Sequence, residues 1–413
     1  MSQRKMRIAF ATPEYATESY FDGGIAQYLQ RITCALAALG HDVHVITLSE
    51  DKTDSFLRHG VTVHRVPPSH NWHRLNQATG YRLAATTYWL SLSGQIYRKL
   101  RELNAREPFD LIQFPNYSYC GLASMLFLRV PHVLRLSSSA YELNAGANHG
   151  WLDSLFLGVM EWLQVRLSKH VFAPSRALTE LYAEEYHRPT IRVIRSPIYL
   201  ETVNDFRIRD RLPAEYVLFF GRFQRHKGFE VLIKALSQVL EANPNINAVL
   251  IGRDVATPPM PSMRQYGYDL CGKFGAQFQM LEQLPHAQLY PIIAGAKLVV
   301  LPSLIDNLPN ACLEAMALAA PVIGTVGTSM EELITDEETG FLVERGDVNA
   351  LTEKILEVWA HPRRQEIGAA AKRRILDFSV EKATTELLDF YHQVLASNLG
   401  EYPASTLSTA ATS

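Results

Sequence analysis

Apolar positions along the chain switch repeatedly between two periods. Short runs rich in β-branched residues, 6–12, 44–48 and 62–66, read as parallel strands buried on both faces. Between the first two runs, Ile25, Leu29, Ile32, Leu36 and Leu39 recur at helical spacing, with Gly40 as the stop. Gly23 and Gly24 open that helix, where glycine lets a ligand come close to backbone amides. Residues 75–103 read as one long helix carrying Tyr81, Tyr88, Trp89 and Tyr97 beside Arg74, Arg82, Arg98, Lys99 and Arg101. Core aromatics with solvated charges explain it best, and a membrane-surface helix is the other reading. A strand at 110–114, a helix at 118–129 and a strand at 132–136 follow.

The pattern lapses at 201–213, polar and without period, and then restarts. Strands are expected at 216–221, 248–252, 297–301 and 321–324, with helices at 229–240, from 287, at 348–359 and at 363–378. Alternating strands and helices imply an α/β fold of doubly wound, Rossmann-like domains. The expected divisions are a domain over 1–200, a linker over 201–213, a second domain over 214–378, a helix over 379–397 and an unstructured tail over 398–413.

Composition narrows the classes. The 413 residues suffice for two ordinary domains, and a net charge of -2 makes no electrostatic case for nucleic acid. Cys34, Cys120, Cys271 and Cys312 are scattered, which fits a reducing compartment rather than a disulfide framework or a zinc site. Neither a signal-peptide pattern nor an apolar run of membrane-spanning length is found. A cytoplasmic protein is expected, with peripheral contact at the inner face of a membrane left open.

The chemistry gathers at 302–346. After the strand at 297–301, Pro302 and Ser303 break the chain, and Asn307, Leu308, Pro309 and Asn310 lead into a helix with proline near its first turn. Asp306 and Glu314 bracket this start, with seven residues between them. Backbone N–H groups there can hold an anion while the acids accept hydrogen bonds from hydroxyls, a pairing suited to a sugar joined to a diphosphate. The plainer alternative is a helix cap at Asp306 and a surface acid at Glu314. After the strand at 216–221, Gly221, Arg222, Lys227 and Gly228 lie on a strand-to-helix loop, where arginine gives phosphate a forked donor and lysine a point charge. A solvated basic turn is the plainer alternative there.

These motifs resemble those of the family 4 retaining glycosyltransferases (glycosyl transferases group 1, GT-B fold). Pro302, Ser303, Glu314, Ala315, Met316, Ala317, Pro321, Val322 and Ile323 follow the family pattern, as do the Gly340–Val343 run and the Gly-Arg…Lys-Gly of Gly221, Arg222, Lys227 and Gly228. Asp306 stands where glutamate is commoner, Ala319 replaces a glycine, Ser196 replaces an asparagine, and Ser137 stands where a histidine is usual. The resemblance implies two Rossmann-like domains facing across a cleft, with the last helix crossing back onto the first. It implies that Arg222 and Lys227 bind the leaving diphosphate, Asp306 the donor-sugar hydroxyls and Glu314 the nucleotide ribose. Gly23 and Gly24 would lie beside the diphosphate and the acceptor. The residues at 277–287 would cradle the base, with His286 a helix-start residue.

The expected reaction is transfer from a nucleotide diphosphate sugar, a UDP-sugar, to a hydroxyl of a glycan or lipid-linked acceptor, as in polysaccharide assembly, with configuration retained. The chain contains no Asp-x-Asp, the metal-holding motif of the other main glycosyltransferase architecture, so no metal and no cofactor are expected. A phosphorylase or an epimerase on the same fold, and a nucleotide-sugar-binding protein without transferase activity, stay open as alternatives.

Overall fold

The computed structural model describes residues 4–17, 24–50, 52–69, 72–137, 150–187, 190–198, 200, 205–256, 260–307 and 309–399. They form two compact units. The first comprises the described residues within Met1–Pro174, Leu178–Pro197 and Val380–Ser413; the second comprises those within Ser175–Ala177 and Ile198–Ser379.

The first unit is built on β1 (Arg7–Thr12), β2 (Asp42–Leu48), β3 (Asp54–Arg58), β4 (Val61–Val66), β5 (Leu111–Pro115), β6 (His132–Arg135), β7 (His170–Ala173) and β8 (Arg192–Val193). Their order is β3-β4-β2-β1-β5-β6-β7-β8. All neighbours run parallel except β3, which pairs antiparallel with β4. The helices are α1 (Gly24–Ala38), α2 (Trp72–Ala78), α3 (Ala84–Arg106), α4 (Leu122–Phe127), α5 (Trp151–Leu167) and α6 (Arg176–Tyr186).

The central strands β1, β2 and β5 are buried almost throughout, as a sheet covered on both faces requires. One side of the sheet is closed by Leu29, Ile32 and Leu36 of α1 together with Leu387, Leu388, Tyr391 and Val394 of the last helix of the chain. The other is closed by Leu92, Ile96 and Leu100 of α3. The Tyr391 hydroxyl donates to Gln113 Oε1 at 2.6 Å, which ties the last helix to β5.

The second unit has β9 (Val217–Phe220), β10 (Ala248–Ile251), β11 (Phe278–Leu281), β12 (Leu298–Val300), β13 (Val322–Thr325) and β14 (Phe341–Val343). Their order is β11-β10-β9-β12-β13-β14, all parallel. Its helices are α7 (Phe229–Ala242), α8 (Met263–Cys271), α9 (His286–Ala294), α10 (Asn310–Ala317), α11 (Val348–Ala360) and α12 (Arg364–Ile375). The chain closes with α13 (Val380–Leu399), the helix that packs in the first unit. Strand order reverses between β9 and β12, and a sheet of this kind binds ligands at the carboxyl ends flanking that switch.

Three expectations change. The single helix over 75–103 is two, α2 and α3, separated by Gly80 at φ 59° and Tyr81 at φ 61°. The second of them starts where the Asp153 carboxylate, from α5, accepts the N–H groups of Ala85 and Thr86 at 2.9 Å. The helix over 118–129 contracts to α4 because Ser118 and Tyr119 take φ of 60° and 52°. Finally, Arg209–Arg211, inside the expected linker, forms a short 3-10 turn. The expected tail falls outside the described residues beyond Leu399.

Candidate active site

In the second unit, the loops leaving β9, β10 and β12 are drawn together by glycines. A Cβ on Gly252 would stand 1.7 Å from the Gly221 carbonyl oxygen, and Gly221 itself has φ 136°. The Phe223 N–H donates to the Arg253 carbonyl at 2.9 Å, which extends the parallel pairing past the strand ends. The chain then makes one 3-10 turn, Arg225–Lys227, and passes through Gly228 into α7. Gly228 has φ 71°, and a Cβ there would stand 1.7 Å from the Pro302 carbonyl oxygen. Only glycine satisfies both the left-handed backbone and the close approach.

That contact joins the basic turn to the loop between β12 and α10. The His226 carbonyl accepts the N–H groups of Leu304 at 2.8 Å and Ile305 at 3.2 Å. Lys227 Nζ donates to Asp306 Oδ2 at 2.7 Å, and the Ser303 hydroxyl donates to the same oxygen at 3.1 Å. The Asp306 side chain is 8% exposed and that of Lys227 31%. Below them, Thr325 Oγ1 donates to the Ser303 carbonyl at 2.6 Å, and the Ser329 hydroxyl to the Asp306 carbonyl at 2.8 Å. The His226 ring is pushed down to about 4, first by loss of solvent and then by Lys227 and Arg222, with Asp306 opposing. It is neutral at pH 7 and adds no charge to the loop.

The two bracketing acids are thus separated in role. Asp306 does not cap α10, whose N-cap is Pro309 with no side-chain cap; its carboxylate turns back to Lys227. Glu314 is not a surface acid. It is buried, 6% exposed, with Oε1 3.9 Å from Nε2 of His286, the first residue of α9. The His286 ring stacks on Tyr290 at 5.0 Å. The first amides of α10 have no carbonyl one turn before them, so Asn310 and its neighbours present a positive helix end beside the Lys227–Asp306 pair. Arg222 is exposed on the same loop, next to Gly221. The structure brings Gly221, Arg222, Lys227, Asp306, Asn307, Pro309, Asn310 and Glu314 to the carboxyl ends of β9 and β12; Leu308 lies outside the described residues.

In the first unit, Gly24 is the exposed first residue of α1, and Gly23 lies outside the described residues. Glu142 and His149 also lie outside them. At the end of β6 stands a residue the motifs did not flag. Arg135 is buried, its guanidinium 4.0 Å above the Tyr28 ring and its Nη2 2.9 Å from the Ser196 hydroxyl. Nε has no hydrogen-bond partner among the described residues. A cavity of about 10 Å³, lined by Ala11, Ile25, Tyr28, Gln113 and Arg135 among others, lies under the first turn of α1. It has room for about one water.

Ser137, at the expected histidine position, donates its N–H to Asn116 Oδ1 at 2.8 Å. Asn116 Nδ2 in turn donates to the buried Glu161 carboxylate at 2.7 Å, which also accepts the Tyr182 hydroxyl. The charged residue inside the apolar run at 132–136 was the available signal for Arg135. Asn116 and Glu161 gave none, since their partners are distant in sequence.

Two family models match this chain. Residues 203–374 match the glycosyl transferases group 1 and residues 23–197 the glycosyl transferase 4-like domain. An uncharacterized glycosyltransferase of Methanocaldococcus jannaschii is 26% identical over 407 residues, 94% of this chain and 98% of that one. Glycogen synthase of Mycobacterium tuberculosis is 24% identical over 416 residues, 96% of each chain. Among solved structures, sucrose-phosphate synthase from Thermosynechococcus elongatus superposes with a TM-score of 0.76 at 21% identity, covering 95% of this chain and all of that one. Anabaena HepE in complex with UDP-glucose gives 0.68 at 18%, covering 96% and 100%.

The fold is GT-B. The chain belongs to the group 1 glycosyltransferases and is a transferase.

Proposed function

We propose that this chain is a retaining glycosyltransferase that moves a sugar from a UDP-sugar to a hydroxyl of a glycan or lipid-linked acceptor without a metal ion. The observation that carries the reading is the Lys227–Asp306 pair at the carboxyl ends of β9 and β12, beside Arg222 and the start of α10. It brings together two cations and a helix N-terminus, which suit a diphosphate, and a carboxylate hydrogen-bonded to Lys227, which suits sugar hydroxyls. Glu314, a turn further in, takes the nucleotide ribose. The UDP-glucose bound to the Anabaena protein favours uridine as the base.

In the step itself, the bond between the anomeric carbon and the diphosphate oxygen breaks while the acceptor oxygen bonds to that carbon on the same face. The acceptor's proton passes to a phosphate oxygen of the departing UDP. Arg222, Lys227 and the α10 amides neutralise the charge that develops on the leaving group. Together they supply on the order of several kcal/mol of transition-state stabilisation.

The test is a radiolabelled UDP-sugar assay that follows both transfer and donor hydrolysis, with and without EDTA. Activity that survives EDTA and falls about 10²-fold or more in Lys227→Ala and Glu314→Ala, with both variants still folded, is the expected result. Full activity in both variants refutes the site, and loss of activity in EDTA that Mg²⁺ restores refutes metal independence.

A further inference from the structure

Helix α5 (Trp151–Leu167) is inside out. Its polar residues Asp153, Glu161 and Gln164 are all buried, and each is engaged within the first unit: Asp153 with Ala85 and Thr86, Glu161 with Asn116 and Tyr182, and Gln164 Nε2 with the Pro115 carbonyl at 2.6 Å. Its outward face is apolar instead. Trp151 is 75% exposed, Trp162 51%, and Leu155 and Val159 more than half, with Phe156 on the flank. Spaced at i, i+4, i+8 and i+11, the first four share one face of the helix, about 16 Å from end to end. The buried polar contacts fix the helix about its own axis, so the apolar face cannot roll inward without breaking them.

We propose that this face docks on the surface of an anionic lipid bilayer. Charge selects that occupant. Arg129, Arg166 and Lys169 are exposed on α5 and the segments that adjoin it, whereas both acids of α5, Asp153 and Glu161, are buried. The acid-free exposed face of α5 ends in Arg166, and Lys169 follows. Helix α4, which packs against α5 through Leu122 and Leu157, exposes Leu126 and Phe127 just before Arg129. A tryptophan at each end of an apolar stripe, with cations around it and no exposed acid on it, is how a helix lies in a lipid headgroup region. A second copy of the chain would set these cations against their own copies, at a repulsive cost. Among the described residues no helix is long and apolar enough to cross a membrane, so the contact is peripheral. This inference does not depend on the donor site.

The test is co-sedimentation of the full chain with vesicles of phosphatidylcholine and phosphatidylglycerol in equal parts, against phosphatidylcholine alone. About tenfold more protein is expected to sediment with the anionic vesicles at low salt, with less at high salt. Trp151→Ser combined with Trp162→Ser removes that excess while the melting temperature stays within a few degrees. Arg166→Glu, which keeps the apolar stripe, lowers the binding several-fold and serves should the double variant misfold. Failure to sediment with anionic vesicles, or equal sedimentation of the parent and both variants, overturns the proposal. So does a lipid-free dimer that the tryptophan substitutions dissociate, which assigns the face to a second copy.

Discussion

The carboxyl ends of the two sheets hold their loops by different means. In the second unit the anchor is a charged pair, Lys227 with Asp306, set where the chain turns at Gly228 and partly open to solvent. In the first unit the residue at the end of β6 is Arg135, buried against Tyr28 and bonded to serine hydroxyls rather than to a carboxylate, while the neighbouring Ser137 hangs on Asn116. A pair whose lysine is partly exposed can be opened by an anion, because a diphosphate offers Lys227 more negative charge than Asp306 does. A buried polar network cannot be rearranged so cheaply, since each group that loses its partner keeps its full desolvation cost. The first arrangement suits binding and release, and the second suits a fixed wall.

The sharpest way to break this contrast is to remove one member of each arrangement. Lys227→Ala should lower kcat about 10²- to 10³-fold, the scale of one lost electrostatic contact to a developing charge, with little change in melting temperature. Asn116→Ala should do the reverse. It takes one hydrogen bond from the Glu161 carboxylate, which keeps the Tyr182 hydroxyl, and one from the Ser137 N–H, costing on the order of 2 kcal/mol of stability in thermal unfolding. Equal losses of stability in the two variants would erase the distinction.

Glycine gives a second contrast. Gly228→Ala has to move the Pro302 carbonyl and hold φ near 71°, so a loss on the order of 3 kcal/mol and a collapse of donor binding are expected. Gly94, within α3, has nothing within 4 Å of an added Cβ. Gly94→Ala should therefore raise the melting temperature slightly, by the helix-propensity difference of about 0.5–1 kcal/mol.

One further effect emerges only in acid. His64 is buried between Ser55 and His44, and burial first and His44 next push it down to about 4. The unfolded chain then binds a proton between about 6.5 and 4 that the folded chain does not, so stability falls as pH drops through that window. His64→Gln should flatten this fall in melting temperature between pH 7 and pH 4 without altering transfer at pH 7.

What could be read in advance follows the same divide. In the second unit β9, β10, β12 and β13, the basic loop with its glycines and the helix after Pro309 announce themselves through period, proline and glycine, whereas β11, β14 and α8 do not. The pairing of Lys227 with Asp306, 79 positions apart, was not legible, and neither was the burial of Glu314 against α9. In the first unit β3 carries an exposed, irregular pattern on a sheet edge. The break after Ala78 depends on Asp153 capping α3 from another helix. Helix α5 was not read at all, because it is apolar on nearly every side and its few polar residues point inward to partners far along the chain. Local pattern reports burial only where the buried face is the apolar one.

The central claim is that a nucleotide diphosphate replaces Asp306 as the partner of Lys227. The most direct test is a thermal-shift panel of UDP, GDP and ADP and their common sugars, with Mg²⁺ or with EDTA, on the parent chain and on Lys227→Ala. A ligand that binds only the folded state must raise its melting temperature. Stabilisation by the uridine compounds alone, unchanged by EDTA and absent in Lys227→Ala, is the expected result. Stabilisation that persists undiminished in Lys227→Ala, or no shift with any nucleotide, contradicts the account.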